Sequence, residues 1–456
     1  MPQEIQLRRA LVYGDGDVAA ALGRALLTRG AAVRTLGRQS AQPDCEHLAG
    51  SPLDPEVAAA AVSEVDLVVV CDRPEPAELC TEHAAFRSGF ERRVLGTLAL
   101  LRAALPALRA RGAGAILLCA DVAGVEAPGS LDVVGPADAA LVAIGASLDA
   151  ELRSDAANGG RVRAMTLRAD FGSPDGVLAA TQALLAGGSG EYFARPIDRV
   201  SHAQQRLLPV AKVATGRRSV ASLGVTVITG ASSGLGAALA RRLAGRTTEL
   251  HLVARRGELL EALAEELSPQ TEVRVWPTDL SDPAAVAALI ASLPRFDSLV
   301  DCAGRHLIET IEGTEISVYR ELFELNFLSH AALMAALAGR SEQGGRVVEI
   351  LSTSAIRGRK QRSAYAGAKA ALWALTNALR RARPDLHVVS VIPSTFMAKR
   401  VADNKRLART PTTDEVADSV VDGLLAGREL VLAPPAVAGF LALEALAPAV
   451  FRRVFR

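Results

Sequence analysis

The sequence predicts an α/β protein of two tandem domains, each a doubly wound parallel sheet flanked by helices. Length, an internal repeat and the alternation of strand-like with helix-like segments carry that expectation. The chain has 456 residues, too many for one ordinary core and suited to two domains of roughly 200 residues each. Hydrophobic residues make up 50% and charged residues 22%, with only 4% aromatic. Usage weighted to Ala, Val and Leu belongs to helix-rich α/β proteins and excludes disorder.

The repeat begins near the N-terminus. Residues 9–37 and 225–255 both read as strand, Gly-containing turn, helix, strand, the opening of a βαβ unit. The parallel continues: VDLVVVC at 65–71 matches FDSLVDC at 296–302, with Asp66 on Asp297, an offset of 231. GAILLCADVAG at 114–124 matches RVVEILSTSAI at 346–356, and GEYFARP at 190–196 resembles RELVLAP at 428–434. Apolar strand runs alternate with Ala/Leu-rich helices, the pattern of parallel sheets. The predicted division is a first domain over 1–198, a helix and linker over 199–223, and a second domain over 224–456.

Charge and cysteine content narrow the function. Lys+Arg 51 against Asp+Glu 50 leaves a net charge of +1, so no long-range field draws the chain to nucleic acid. Cys45, Cys71, Cys80, Cys119 and Cys302 are scattered, without a CxxC pair or a His cluster, and neither a disulfide framework nor a metal site is expected. The N-terminus runs into a strand-like segment without an apolar leader, and no long apolar run follows. A cytoplasmic protein acting on a small molecule is the expectation.

The chemistry is concentrated in the second copy. Thr229 to Gly236, TGASSGLG, follows the apolar strand VTVI and opens a helix. Gly230, Gly234 and Gly236 there permit the tight turn and close backbone approach that a pyrophosphate at a helix N-terminus needs. A Gly-rich turn also occurs as a plain strand-to-helix connection, so other residues must support it. The next strand ends LVARR: Ala254 and Arg255 stand where an NAD-binding chain carries an acid for the ribose 2′-hydroxyl. Arginine without a carboxylate favours a 2′-phosphate, hence NADP or NADPH; Arg256 reads equally well as a solvated charge. Asp279 ends the following strand, where a carboxylate can accept from an adenine amino group, and Ser281 or Asp282 reads as a helix cap.

Tyr365 and Lys369 are four residues apart in YAGAK, with Ser352 thirteen residues before the tyrosine at the end of the strand VVEIL. On a helix, positions i and i+4 share a face, so the Lys369 ammonium lies beside the Tyr365 phenol and lowers its pKa toward neutrality. Ser352 is placed to hydrogen-bond a carbonyl oxygen and polarise it. Ser354 is the rival serine, and Ser363 reads as a helix cap.

With these residues in view, 225–435 resembles a short-chain dehydrogenase/reductase with a Rossmann-like fold. The shared motifs are TGASSGLG, CAG at 302–304, Asn326 in LNFLSH, Ser352, Tyr365 with Lys369, and Pro393 in VIPST. The resemblance implies a catalytic set of Tyr365, Lys369, Ser352 and Asn326: the tyrosine protonates an alkoxide, the lysine also binds the nicotinamide ribose, the serine orients the carbonyl, and the asparagine supports a proton relay through water. It implies cofactor contacts from Gly230, Ser232, Ser233, Gly234, Leu235, Gly236, Arg255, Asp279, Leu280, Ala303, Gly304, Pro393 and Thr395, besides Tyr365 and Lys369. Three departures stand out. Cys302 replaces the usual Asn of NAG, Ser394 replaces the usual Gly after Pro393, and Ala398 falls where a Thr often contacts the cofactor.

In the first copy every reactive position has changed: Tyr365 falls on Val134, Lys369 on Asp138, Ser352 on Asp121, Asn326 on Arg93, and CAG on Cys71, Asp72 and Arg73. Its turn places Asp15 and Asp17 where a pyrophosphate would sit. The first half therefore reads as an inactive packing partner, and the chain is similar to tandem reductases such as high-molecular-weight 3-oxoacyl-carrier-protein reductases and, in architecture alone, to polyketide ketoreductases. Family likeness implies an internal pseudo-dimer, as a monomer or a homodimer. The apolar tail AVAGFLALEALAPAVFRRVFR fits a membrane surface, an acyl tunnel or a helix docked on its own domain, and the corresponding stretch after the first copy favours docking. The expected activity is NADPH-dependent reduction of a ketone, foremost a 3-oxoacyl thioester or polyketide-like intermediate, on a small molecule or a carrier. A dehydrogenase of a free alcohol or ketone, and a non-catalytic NADP-sensing scaffold, are the alternatives.

Overall fold

A computed structural model describes residues 6–37, 43–121, 131–156, 162–169, 174–193, 222–340, 344–356, 358–393 and 411–435. They form two seven-stranded sheets in which every strand pair is parallel. The first contains β1 (Arg9–Tyr13), β2 (Ala32–Leu36), β3 (Glu46–Leu48), β4 (Leu67–Val70), β5 (Gly114–Asp121), β6 (Val162–Ala169) and β7 (Gly190–Phe193), in the order β3-β2-β1-β4-β5-β6-β7. The second contains β8 (Val225–Thr229), β9 (Glu249–Ala254), β10 (Glu272–Pro277), β11 (Ser298–Asp301), β12 (Arg346–Ile350), β13 (His387–Pro393) and β14 (Leu430–Ala433), in the order β10-β9-β8-β11-β12-β13-β14. The strand order is the same in both, and each reverses direction between its first and fourth strands. That reversal leaves a crevice at the carboxyl ends of the strands, the usual seat of a ligand in such sheets.

Continuous apolar runs produce this arrangement because a parallel sheet is covered on both faces. All four residues of β4 are fully buried, as are Leu299 and Val300 of β11. The helix Gly234–Leu243 buries Leu235, Leu239 and Leu243 against β8 and β9, and the helix Gly257–Leu267 buries Leu260, Leu263 and Leu267 at the characteristic three-to-four-residue spacing. One helical run, Ile316–Gly339, has the length and hydropathy to cross a bilayer, but 78% of its apolar window is buried within the protein.

The chain divides into two compact units. The first takes Met1–Arg199 together with His306–Phe323 and Ser354–Ala374, and the second takes Val200–Arg305, Glu324–Thr353 and Leu375–Arg456. Within the first unit the helix Val134–Ala156 packs on the helix Ser363–Ala382 through alanines: Ala139 and Ala143 meet Ala366, Ala370 and Ala374. Small side chains let the two backbones approach, and a Cβ on Gly367 would lie 3.0 Å from Ile144 Cγ1. Arg109 pairs with Glu312, Arg102 with Glu315 and Arg320 with Glu91, while Phe90 meets Phe323 edge-on at 5.4 Å between ring centres.

Charged groups occupy the carboxyl ends of the first sheet's central strands. Arg93 lies in a π-helical turn, Glu91–Leu95, and is wholly buried. Its guanidinium donates to Asp138 Oδ1 at 2.7 Å and to the Cys119 carbonyl at 2.6 Å, and Asp138 Oδ2 accepts from the Asp121 N–H at 3.2 Å. Arg73 pairs with Asp121 at 3.0 Å. These are the residues that align with Asn326, Lys369, Ser352 and the glycine of CAG. Removing one partner of such a buried pair strands the other charge in a low dielectric. Asp138→Ala is therefore expected to lower unfolding free energy by about 3–5 kcal/mol in urea denaturation of the full chain, whereas Arg93→Met combined with Asp138→Leu should cost far less.

Candidate active site

In the second unit β8 ends at Thr229 and turns into the helix Gly234–Leu243. A Cβ on Gly230, at φ +64°, would stand 3.0 Å from Ala303 Cα, and one on Gly236 would stand 2.4 Å from the Gly230 carbonyl. Any side chain at either place pushes the turn away from the sheet. Gly234 differs: its φ is +58° and nothing lies within 4 Å of the Cβ position, so the turn opens onto free space. Ser233 precedes the helix without a side-chain cap bond. A helix N-terminus that its own residues leave uncapped, beside open space at a strand-order reversal, fits a pyrophosphate.

Arg255 and Asp279 flank this turn at the ends of neighbouring strands. Arg255 is exposed and 3.8 Å from Asp279 Oδ2. Arg256, for which the sequence allowed a solvated charge or a contact equally, donates to Ser232 Oγ at 3.0 Å and to Ser233 Oγ, and so lies against the glycine turn. Asp279 accepts from the Ser281 N–H at 2.9 Å and its hydroxyl at 2.6 Å. Partial burial pushes that carboxyl up, but the Ser281 bonds and Arg255 outweigh it and hold it below the usual range. Of the two expected caps, Asp282 is the one that serves the helix Pro283–Ser292, accepting from the Ala284 N–H at 2.9 Å. Leu280 is buried beside them.

Ala303 is buried and Gly304 exposed just past β11. Asn326 is wholly buried within a π-helical turn, Glu324–Leu328, a local geometry common at functional sites. Its Oδ1 accepts from the Arg305 N–H and its Nδ2 donates to the Arg305 carbonyl, both at 3.1 Å, so the amide is oriented by the backbone that follows CAG. Ser352 is half-buried two residues beyond β12, whereas its rival Ser354 is 2% exposed in a 3₁₀ turn, Thr353–Ala355.

Tyr365 and Lys369 sit one turn apart on the helix Ser363–Ala382, in the stretch that belongs to the first unit; Lys369 is buried and Tyr365 half-buried. The His306 ring lies against the Tyr365 ring at 4.6 Å and 56°, and Arg362 donates to His306 Nε2. Partial burial and the charges of Arg362 and Arg359 lower the His306 pKa, keeping the ring neutral. Sequence reading missed His306 because it lies 59 positions from Tyr365 in a segment with no motif. It also assigned the helix cap to Ser363, and the structure corrects this: Ser363 is the first helical residue and its buried hydroxyl has no hydrogen bond among the described residues. Glu309 instead accepts the Ala364 N–H at 3.0 Å. Pro393 ends β13, while Ser394, Thr395 and Ala398 lie outside the described residues, as do the 199–221 part of the linker and the 436–456 tail.

The model of the short chain dehydrogenase family matches residues 224–406. That segment belongs to the short-chain dehydrogenases. A fatty acyl-CoA reductase from Acinetobacter baylyi is 28% identical over 210 residues, covering 43% of this chain and 71% of that protein. Two solved structures share the fold of nearly the whole chain. The N-terminal ketoreductase of the macrolactin assembly line aligns with 94% of this chain and 87% of its own, at TM-score 0.65 and 16% identity. The first ketoreductase of the tylosin polyketide synthase aligns with 97% of each, at TM-score 0.64 and 22% identity. Residues 224–406 thus match a family of oxidoreductases whose members use nicotinamide cofactors.

Glu309 gives the site region a pH signature. Burial pushes its carboxyl from the ordinary 4.5 up to about 8, against the opposing pull of the Ala364 N–H. Between those values the folded chain holds a proton that the unfolded chain has lost, so stability falls as pH rises through that window. Glu309→Gln should melt close to wild type near pH 5 and roughly 2–8 °C higher at pH 8, measured by calorimetry.

Proposed function

We propose that this protein reduces a ketone with NADPH, foremost a 3-oxoacyl thioester or a polyketide-like intermediate. The observation that carries the reading is Lys369 buried one helical turn from Tyr365, supported by the match of residues 224–406 to the short chain dehydrogenase family. When bound, NADPH supplies the hydride. Tyr365 then gives its phenolic proton to the carbonyl oxygen as the alkoxide forms, and Lys369 beside it stabilises the phenolate left behind. Ser352 donates to the same oxygen and fixes its direction. Asn326, clamped on Arg305, orders the water through which Tyr365 is reprotonated. Gly230, Ser232, Ser233, Gly234, Leu235 and Gly236 cradle the pyrophosphate, and Arg255 with Arg256 takes the 2′-phosphate.

The first half serves as the fixed partner of the Tyr365 helix and performs no chemistry of its own. Val134, Asp138, Asp121 and Arg93 occupy its reactive positions, and the Arg93–Asp138 pair fills the place of a proton relay. One site per polypeptide follows.

Consumption of NADPH, followed at the nicotinamide absorbance band with a panel of 3-oxoacyl thioesters and free ketones, tests the reading. Tyr365→Phe is expected to lower kcat by about 10²–10⁴-fold while still binding the dinucleotide; a variant retaining most of its turnover would refute the assigned acid. Replacing Arg255 and Arg256 by glutamate should reduce the NADPH-over-NADH preference in kcat/KM by at least about tenfold, a change of ~1.4 kcal/mol.

A further inference from the structure

His330 lies four residues beyond Asn326 and is wholly buried, with three acceptors around its ring. Nε2 is 3.0 Å from the Ala303 carbonyl, and Nδ1 is 3.2 Å from Asp301 Oδ2 and 3.1 Å from Glu349 Oε2. A carbonyl cannot donate, so Nε2 carries hydrogen. Nδ1 and two carboxylate oxygens this close need positive charge among them, which a shared proton supplies. The Thr229 hydroxyl donates to Asp301 and accepts from the Cys302 and Ala303 N–H groups, each at 3.0 Å. The cluster thus joins the glycine turn, the Ala303 floor, the helical run that holds Asn326, and the strand that leads three residues later to Ser352.

The first half of the chain provides an internal control. Strand register places Val70 where Asp301 stands: Val70 pairs with Tyr13 and Leu118, as Asp301 pairs with Thr229 and Glu349. Leu118 therefore replaces Glu349. Thr97 and His330 each lie two residues past a π-helical turn, Glu91–Leu95 and Glu324–Leu328. The same fold accordingly packs with Val, Thr and Leu at these three places, in the half that has also lost the Ser, Asn, Tyr and Lys. Burying two carboxylates and an imidazole is costly, and apolar replacement of such groups is often neutral or stabilising. Packing does not require the cluster, and its presence follows the reactive residues.

We infer that His330, bridged by a proton to Asp301 and Glu349, is a positioning residue of the reaction centre, holding the cofactor floor and the Asn326 run in register with the Ser352 strand. This rests on the proposed ketone reduction for its turnover readout and on dinucleotide binding for its second.

The test gives the second half the first half's residues, combining Asp301→Val, His330→Thr and Glu349→Leu in the full chain. The melting temperature should equal or exceed that of wild type. NADPH binding, titrated by fluorescence, should weaken, and kcat should fall about tenfold to a hundredfold with ketone KM little changed. A triple variant with wild-type kcat and NADPH affinity would overturn the inference, and so would a lower melting temperature, because the cluster would then serve packing. A divalent metal that copurifies stoichiometrically with wild type and is lost from the variant would also overturn it, since a cation and not a proton would join the carboxylates. If wild type reduces no ketone but the variant still binds NADPH more weakly, the ketone reading fails and the positioning role stands.

Discussion

Where β8 leaves its sheet, the chain passes so close to the end of β11 that no side chain fits between them. The Cβ that Gly230 lacks would lie 3.0 Å from both the Cα and the nitrogen of Ala303. This contact is the constraint on which the site depends. It lets Thr229 reach the Cys302 and Ala303 N–H groups, sets the start of the helix Gly234–Leu243 at the strand-order reversal, and leaves the space in front of Gly234 empty. The first half makes the same approach, with Gly14 at φ +143° and its missing Cβ 2.6 Å from Asp72 N. There the neighbouring residues carry charge, and Arg92 pairs with Asp72 at 3.4 Å. The backbone solution is common to both halves, and the side chains around it decide what each end of the sheet holds.

Much of this was legible in the sequence because its signals are local. Strand runs such as VVEIL, the glycine spacing of TGASSGLG and the four-residue step from Tyr365 to Lys369 each act within one element or one turn, where residue order maps directly onto space. The repeat told more than any single motif, since two copies of a strand order constrain each other. What escaped notice is non-local. His306 meets Tyr365, Glu309 serves Ala364, and His330 joins Asp301 to Glu349, all across sequence separations that only the fold closes. Asp301 and Glu349 are single acids inside apolar strands, where a lone charge has no periodic signature. The division of the chain was also local in its reasoning. A boundary at 198 follows the repeat, whereas compactness gathers 306–323 and 354–374 with the N-terminal residues because their partners are the helices of the first sheet.

The two halves dispose of buried charge in different ways. In the first, Arg93 and Asp138 neutralise one another beside Asp121, a closed arrangement of ion pair and backbone hydrogen bonds. In the second, two acids share one imidazole, an arrangement with excess negative character that a proton must balance.

The alanine face between the helices Val134–Ala156 and Ser363–Ala382 has a consequence for how the enzyme behaves in a dilute cell extract. A helix braced by a separate subunit loses its brace when the complex dissociates, so its order depends on total protein. Here the brace is carried on the same polypeptide, and tethering turns a bimolecular encounter into an intramolecular one. The helical turn that carries Tyr365 and Lys369 is then supported to the same degree in a single molecule as in a concentrated solution.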